Sequence, residues 1–490
     1  MYDFSKALTN NIERTYTYAY ASNAFQYPKP AYEYNALEFF HRLLEIEPFK
    51  AFMNLERYGF KQTKRALDRY EIPYTADQER RARVFYDVTT LMLARSSDYV
   101  SLDLGTEDLE GTGVVLYKAP NTYTTYDTLA VAKFIRNLPA HQKVNNTIYT
   151  AELPDLLKRS NEQMEALETC VTHKVSCLIG GAGTGKSFVT ANIINQLKEN
   201  DQRVVVLAPT HKAKEALQEK LEDNVTVRTI HSYIYKPEDC DAIVIDESGM
   251  LSTPLFKGLI NNYKNQQLVF VGDKNQLPPI EYGRPFELLQ QSVTVSELKE
   301  NRRSEAADII ALGKEVIGIP QNANMNTPNI VFAPTIQSAF EDEGAEVLLT
   351  FTNADVKETN EQQKLKDAPA SIYPEFSIGD KIIAKTNKKG KHFNGELFTI
   401  IDYDLIESKT TGRKVRLNTP QDLAYNFDLA YGLTIHKSQG SEWDVVAYKP
   451  SDLDTRNLAY VAITRAKKKL VIIGDLKSEY LAQDDWRFIS

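Results

Sequence analysis

One stretch constrains this chain more than any other: Gly180-Gly181-Ala182-Gly183-Thr184-Gly185-Lys186-Ser187, set between the apolar run Val175–Ile179 and a helical pattern from Phe188 to Leu197. A strand that turns through G-x-x-x-x-G-K-[ST] into a helix is a phosphate-cradling loop. Backbone N–H groups at the helix N-terminus point into such a loop and hold phosphate oxygens. Gly180 through Phe188 then form a nucleotide-contacting run. Lys186 reaches the β- and γ-phosphates and the Ser187 hydroxyl ligates Mg²⁺. The fold class this demands is α/β, with the loop at the carboxyl end of a strand.

Further segments in chain order narrow the chemistry. Ala242–Ile245 reads as an apolar strand ending in Asp246-Glu247. Asp246 is placed to hold Mg²⁺ through water and Glu247 to polarise an attacking water, a pairing that hydrolysis needs. Leu268–Gly272 is a second strand leading into Asp273-Lys274-Asn275-Gln276, which sets Gln276 within reach of the γ-phosphate or the water. Glu346–Thr350 and Lys469–Ile473 read as strands of a second α/β lobe, and Arg303 and Arg465 lie outside the first. Guanidinium groups brought from a second lobe stabilise transition-state charge and make hydrolysis depend on cleft closure.

At 490 residues the chain exceeds one core, so three or four domains are expected. No apolar run approaches a membrane span, and Met1–Tyr20 lacks a signal-peptide core, so an intracellular, cytoplasmic setting is expected. The three cysteines, Cys170, Cys177 and Cys240, make no CxxC pair and read as reduced thiols. A net charge of −8 excludes a wholly basic coat yet leaves room for a basic channel. Seven tyrosines lie between Tyr2 and Tyr34, where ordinary packing outweighs base stacking.

Together these segments resemble superfamily 1 helicases, specifically the 1B branch containing RecD and Dda. Ser160-Asn161-Glu162-Gln163 resembles the Q motif, in which Gln163 would read adenine. Leu207–Ala213 resembles motif Ia and Thr229-Ile230-His231-Ser232 motif Ib. Asp246–Met250 is close to that branch's motif II, and Gly272–Pro279 carries its Gly-Asp-x-x-Gln-Leu-Pro-Pro string. Arg303 matches motif IV, Thr434–Glu442 motif V and Ala459–Ala466 motif VI. The likeness runs from about residue 156 to 474.

The resemblance implies two RecA-like lobes with ATP and Mg²⁺ between them, Glu442 joining the nucleotide contacts. It also implies single-stranded DNA across the tops of both lobes, moved 5′→3′. Pro209, Thr210, His211, Lys212, Thr229, His231, Thr434, His436 and Lys437 are the candidate contacts, giving grip on phosphates without sequence readout. The expected layout is an accessory, mainly helical region over 1–150, lobe 1 over 151–292 and lobe 2 over 293–370 and 428–490. A small Src-homology-3-like β-barrel is expected at 371–427, because Phe376–Ile400 alternates apolar residues around a Lys/Gly turn and Asn394-Gly395. Lys385 and Lys389, with Lys388 and Lys391, could line the DNA path there or form a solvated turn.

Residues 1–150 carry no catalytic motif. Leu37–Ala94 is expected to be helical with breaks at Gly59 and Pro73, and Thr128–Leu138 to form a helix. This region faintly resembles the N-terminal helices of long-form RecD-like helicases; an unrelated docking module is the alternative. One departure stands out: only Tyr233–Ile245 separates motifs Ib and II, hardly room for the branch's strand-separating pin. Little chain follows motif VI, so a RecB-like nuclease domain is not expected. The expected partners are single-stranded DNA, its junctions with duplex, and replication or recombination proteins, served by a monomeric bacterial or phage-encoded motor. The alternatives are a translocase that strips proteins or remodels forks without separating strands, an RNA motor, and a small-molecule kinase or nucleotide-regulated binding protein whose hydrolysis is indifferent to DNA.

Overall fold

The computed structural model describes residues 8–9, 12, 40–41, 43–45, 48–53, 59–474 and 476, except 96, 103–108, 110–111, 113, 117–121, 219–220, 222–224, 303–306, 320, 322, 325–326, 365–375, 389, 403 and 420. In the front region, helices Phe60–Arg69 and Ala76–Ala94 flank Pro73, which cannot continue a helix. Thr75 opens the second through a capping box with Gln78, and Asp77 and Glu79 in its first turn favour the positive end of the dipole. A three-stranded antiparallel sheet follows, β1 (Val100–Ser101), β2 (Val114–Leu116) and β3 (Thr122–Thr125), in the order β1-β3-β2. That sheet was not expected, because its strands are two to four residues long and give too short a stretch for a period-2 pattern to register.

Helix Tyr126–Arg136, capped by Thr125, spans nearly the residues expected. It packs on the next layer, its Val131 and Ile135 sharing one core with Val175, Phe256 and Leu268. That core belongs to a six-stranded parallel sheet. Its strands are β4 (Val175–Gly180), β5 (Val204–Ala208), β6 (Val227–Thr229), β7 (Ala242–Ile245), β8 (Gln267–Gly272) and β9 (Thr294–Leu298), in the order β6-β5-β7-β8-β4-β9. β4, β7 and β8 are buried along their whole length, as strands covered on both faces must be. Each fully buried Val, Leu or Ile there contributes about 1.5–3 kcal/mol. β9 was not anticipated; Thr-Val-Ser-Glu-Leu lacks an apolar run because it lies at the sheet's edge, paired only with β4.

A second parallel sheet holds β10 (Ile330–Ala333) and β11 (Val347–Thr350). After β11 and helix Asn353–Gln363, the chain leaves it for a five-stranded antiparallel sheet. That sheet comprises β12 (Lys381–Ala384), β13 (Leu397–Asp402), β14 (Leu405–Ser408), β15 (Lys414–Arg416) and β16 (Phe427–Leu429), in the order β15-β14-β13-β12-β16. The β12–β13 pairing, Lys381 opposite Thr399, is the hairpin implied by Asn394-Gly395, with Gly395 at φ +88°. Phe376, Ile382, Phe398, Ile406 and Phe427 make its own small core. The chain then returns through β17 (Gly432–Thr434), β18 (Trp443–Tyr448) and β19 (Ala466–Ile473), completing the order β10-β19-β18-β11-β17. No described helix is long and apolar enough to cross a membrane. All three cysteines are unbridged and buried, and burial raises the Cys170 thiol to about 12.

Candidate nucleotide site and nucleic-acid interface

The loop after β4 turns through Gly183 (φ +76°) and Gly185 (φ +84°) into helix Lys186–Glu199. At position 185 a side chain is excluded twice, by the left-handed backbone and by Gln163 Nε2, which would lie 2.6 Å from a Cβ. Gln163, buried near the start of helix Asn161–Thr172, donates through Nε2 to the Thr184 carbonyl at 3.2 Å. Gln163 thus buttresses the loop through the Thr184 carbonyl, and its Nε2 is spent there. Lys186 curls over the loop and donates to the carbonyls of Gly180 and, at 2.9 Å, Gly181. Ser187 and Phe188 lie in the first turn of that helix, both half-buried.

Asp246 follows β7, its N–H bonded to the Leu207 carbonyl at 2.8 Å. Glu247 adopts φ 49°, ψ 41°, a left-handed conformation that costs a non-glycine residue about 1 kcal/mol or more. Desolvation, then the neighbouring Asp246 charge, raises its carboxyl to about 7, against the opposing pull of Lys186 and Arg465. Such a pKa suits a group that takes a proton near neutrality. Asp273, directly after β8, is 2% exposed and lies 4.0 Å from Lys186 Nζ. Gln276 follows in the same loop, its N–H bonded weakly to the Asp273 carbonyl at 3.4 Å.

Residues of the second parallel sheet's layer reach this site. Arg465 is 6% exposed, donating at 3.3 Å to the carbonyls of Val461 and Ser441, and its charge bears on Glu247. Tyr460 places its hydroxyl 2.9 Å from the Ala182 N–H, which it accepts, and 2.9 Å from Asp273 Oδ2, to which it donates. Asn457 donates to the carbonyls of Asn275 and, at 3.3 Å, Gln276. Sequence reasoning missed Asp273, Asn457 and Tyr460, although Tyr460 stands inside the motif VI string. Arg303 lies outside the described residues. Its neighbour Arg302, also missed, donates its backbone N–H to the Gly183 carbonyl at 2.8 Å and its guanidinium to Ser160 Oγ at 2.6 Å. Glu442, in the turn before β18, is exposed.

The donor set fits a magnesium-bound triphosphate. Ser187 and Asp246 offer hard oxygen ligands, and a nucleotide's own oxygens would complete the shell of a cation that takes few protein ligands. Among the described residues no group of three or more His, Cys, Asp or Glu side chains could hold a metal without it.

At the carboxyl ends of β5 and β6, two candidate phosphate contacts act as helix caps. Thr210 Oγ1 accepts from Ala213 N–H at 3.1 Å, and the buried Thr229 Oγ1 from Ser232 N–H at 3.2 Å. Pro209 is half-buried; His231, His436 and Lys437 are exposed, and Thr434 opens helix Ile435–Ser438. Lys212 is half-buried: its ammonium donates to the Lys437 carbonyl at 2.9 Å and lies 5.9 Å from the Trp443 ring centre. Burial in that crevice, then the Arg465 charge, pulls its pKa down to about 7.

His211 stacks on Phe393 of the antiparallel sheet's loop, ring centres 4.2 Å apart and planes 8° from parallel. Burial and the charges of Lys214 and His231 lower the imidazole pKa, favouring the neutral ring. The expected lysine row is mostly paired within its own module. Lys385 meets Asp428 at 3.0 Å, Lys388 meets Asp422 at 3.2 Å and Lys391 donates to the Arg416 carbonyl; Lys389 lies outside the described residues. Between motifs Ib and II the chain makes helix Ile230–Tyr235, a short turn and β7, with no hairpin.

The AAA domain profile matches residues 158–317, and the UvrD-like helicase C-terminal domain profile matches 429–473. An ATP-dependent RecD2 DNA helicase of Deinococcus radiodurans is 25% identical over 374 residues, covering 66% of this chain and 50% of that protein. An uncharacterized protein of Methanocaldococcus jannaschii is 24% identical over 444 residues, covering 64% of this chain and 38% of its own length. The RecBCD enzyme subunit RecD of Mycolicibacterium smegmatis is 25% identical over 396 residues, covering 64% and 70%. The chain therefore spans half or less of the first two relatives. A crystal structure of Bacteroides Pif1 bound to ssDNA superposes with a TM-score of 0.48 at 16% identity, covering 66% of this chain and 94% of that one.

Proposed function

We propose that this chain is a RecD-like member of superfamily 1B and an ATP-driven DNA helicase moving 5′→3′ on single strands, a reading supported by its two matched regions and its curated relatives. The observation that carries the reading is the meeting of Tyr460 and Asn457 from one layer with Ala182, Asp273, Asn275 and Gln276 from the other, beside a single phosphate loop. A motor needs such a seam, because cleft closure must be tied to hydrolysis.

In this reading Lys186 and the loop amides hold the phosphates, and Ser187 and Asp246 hold Mg²⁺, which supplies charge neutralisation when bound. Glu247 takes the proton of the attacking water, Gln276 orients it, and Arg465 with Arg303 offsets the developing charge. The lobes would comprise 151–292 and 293–370 plus 428–490, although helix Tyr126–Arg136 shares the first lobe's core. In the same reading the antiparallel sheet β12–β16 belongs to the Src-homology-3-like insertion expected at 371–427, and 1–150 is an accessory domain.

DNA would cross the face bearing His211, His231, Thr434, His436 and Lys437, in a cytoplasmic, monomeric motor serving replication or recombination. The short turn between motifs Ib and II favours a second reading, a translocase that displaces proteins with little unwinding. The test is ATPase rate with single-stranded DNA, duplex and RNA, followed by unwinding of 5′- and 3′-tailed duplexes. Stimulation by single-stranded DNA with opening of the 5′-tailed substrate alone is expected. Streptavidin displacement without unwinding would select the translocase, and hydrolysis indifferent to nucleic acid would overturn the motor.

A further inference from the structure

We propose that the exposed face of helix Phe60–Arg69 grips the phosphates of a DNA duplex, the arm from which the motor would draw its strand. The proposal rests on the DNA-motor reading above and gives the front region a partner. Lys61, Arg65 and Arg69 recur every four residues along that helix, and all three are exposed. Four-residue steps keep side chains on one face. At 1.5 Å per residue the stripe runs about 12 Å, the axial length of roughly three to four phosphates of one strand. Phe60, Thr63, Ala66 and Leu67 are buried, so packing fixes which way the stripe faces.

Charge matching nearby sets the stripe apart. On helix Ala76–Ala94, Arg80 and Arg81 meet Asp77 and Arg83 meets Asp87, while Lys64 reaches across to Glu79. Among the described residues Lys61, Arg65 and Arg69 have no ion pair; Arg69 lies 5.7 Å from the Tyr70 ring centre. Asp68, the helix's one carboxylate, accepts from the Tyr74 hydroxyl at 3.2 Å. In a chain of net charge −8, three unmatched cations in a row suit an external polyanion. Phe60, the helix's one aromatic residue, is buried, so this face offers no platform for unpaired bases. A duplex, with bases stacked inside and charge outside, fits it better than a single strand.

The helix's attachment sets the stripe near the expected strand path. Phe60 packs on Tyr86, ring centres 6.2 Å apart, and the adjacent Phe85 meets Tyr282 edge-on at 6.4 Å. Asp98, just beyond that second helix, accepts the Arg284 N–H at 3.3 Å. Tyr282 and Arg284 belong to the segment after β8, as does Glu281, which accepts from Ser252 Oγ at 2.6 Å. The Glu281 charge bears on His231, a candidate single-strand contact. The front region is thus anchored beside motif Ib, where the chain makes no hairpin before β7. A grip on the duplex arm there holds it while the lobes pull on one strand.

The test is the salt dependence of DNA binding by the full-length wild type and by Lys61→Gln/Arg65→Gln/Arg69→Gln. Dissociation constants are measured from about 50 to 200 mM salt for a blunt duplex, a 5′-tailed duplex and a single-stranded oligonucleotide. Each phosphate contact adds about 0.9 to the logarithmic slope, so the variant's slope on both duplexes should be shallower by roughly 2–3. Over that range the wild type should lose about 40-fold more duplex affinity than the variant. Single-strand binding and single-strand-stimulated ATP turnover should change less than about twofold. An unchanged duplex slope, or a wild type that does not bind duplex, overturns the stripe. An equal loss of slope on the single strand overturns its assignment to duplex. Wild-type hydrolysis that ignores single strands overturns the motor reading instead. Should the triple variant not fold, Arg65→Gln alone must lower the duplex slope by about 0.9. Arg65→Lys/Arg69→Lys keeps both charges and must keep the wild-type slope; a loss there refutes the electrostatic grip.

Discussion

Replacing Glu247 by Gln should make the nucleotide-free protein more stable and nearly inactive, with the stability gain depending on pH. The carboxyl stands at about 7 in the folded chain against 4.5 in the open one, because it is desolvated and faces Asp246. A raised carboxyl pKa means that folding favours the protonated form. The group's stabilising contribution is therefore complete below pH 4.5 and is lost as pH rises through 7. At 1.36 kcal/mol per pH unit the loss reaches about 3 kcal/mol above pH 8. Gln keeps the shape and the left-handed backbone but cannot ionise.

Thermal unfolding of wild type and Glu247→Gln without nucleotide, from pH 5 to 8.5, measures the gap. The two should nearly coincide at pH 5 and diverge between about pH 5 and 7.5. Above that the variant should melt roughly 6–12 °C higher, taking 2–4 °C per kcal/mol for a domain of this size. In steady-state assays kcat/KM of the wild type should fall below an inflection near pH 7, since that ratio reports the free protein's base. Turnover by the Gln variant should drop roughly 10²–10⁴-fold. A stability gap that does not vary with pH, or hydrolysis by the variant at wild-type rate, would refute the assignment.

Lys186→Ala should abolish DNA-stimulated ATP turnover while leaving the melting temperature within a few degrees; undiminished turnover would remove the nucleotide site from the loop. Phe393→Ala deletes the stack on His211, a contact of about 0.5–1.5 kcal/mol. Dissociation of a fluorescent single-stranded oligonucleotide should then quicken by roughly two- to tenfold, and Phe393→Tyr should leave it unchanged. Gly283→Ala should cost about 2–4 kcal/mol in thermal melts, because the backbone there has φ +85° and a Cβ would lie 1.9 Å from Thr253 Oγ1. A Gly283→Ala protein that melts like the wild type would show that the turn relaxes freely.

How much was legible in the chain depended on how local each feature is. The phosphate loop, the strand ending in Asp246-Glu247 and the hairpin turn at Asn394-Gly395 are short contiguous strings whose backbone requirements dictate their residues. Sequence alone placed them, along with two α/β units and a β-rich interruption. Edge strand β9 and the two- to four-residue strands β1–β3 escaped, since partial burial or brevity erases the apolar period. The side chains joining the layers were beyond reach for another reason. Nothing in the spacing of Lys212 and Lys437, His211 and Phe393, or Ala182 and Tyr460 says that they touch. Only packing of the two parallel-sheet layers and the antiparallel sheet brings residues more than 180 positions apart into hydrogen-bond or ring contact, and that packing turned an expected phosphate-gripping lysine into a bridge and Tyr460 into a partner of the loop.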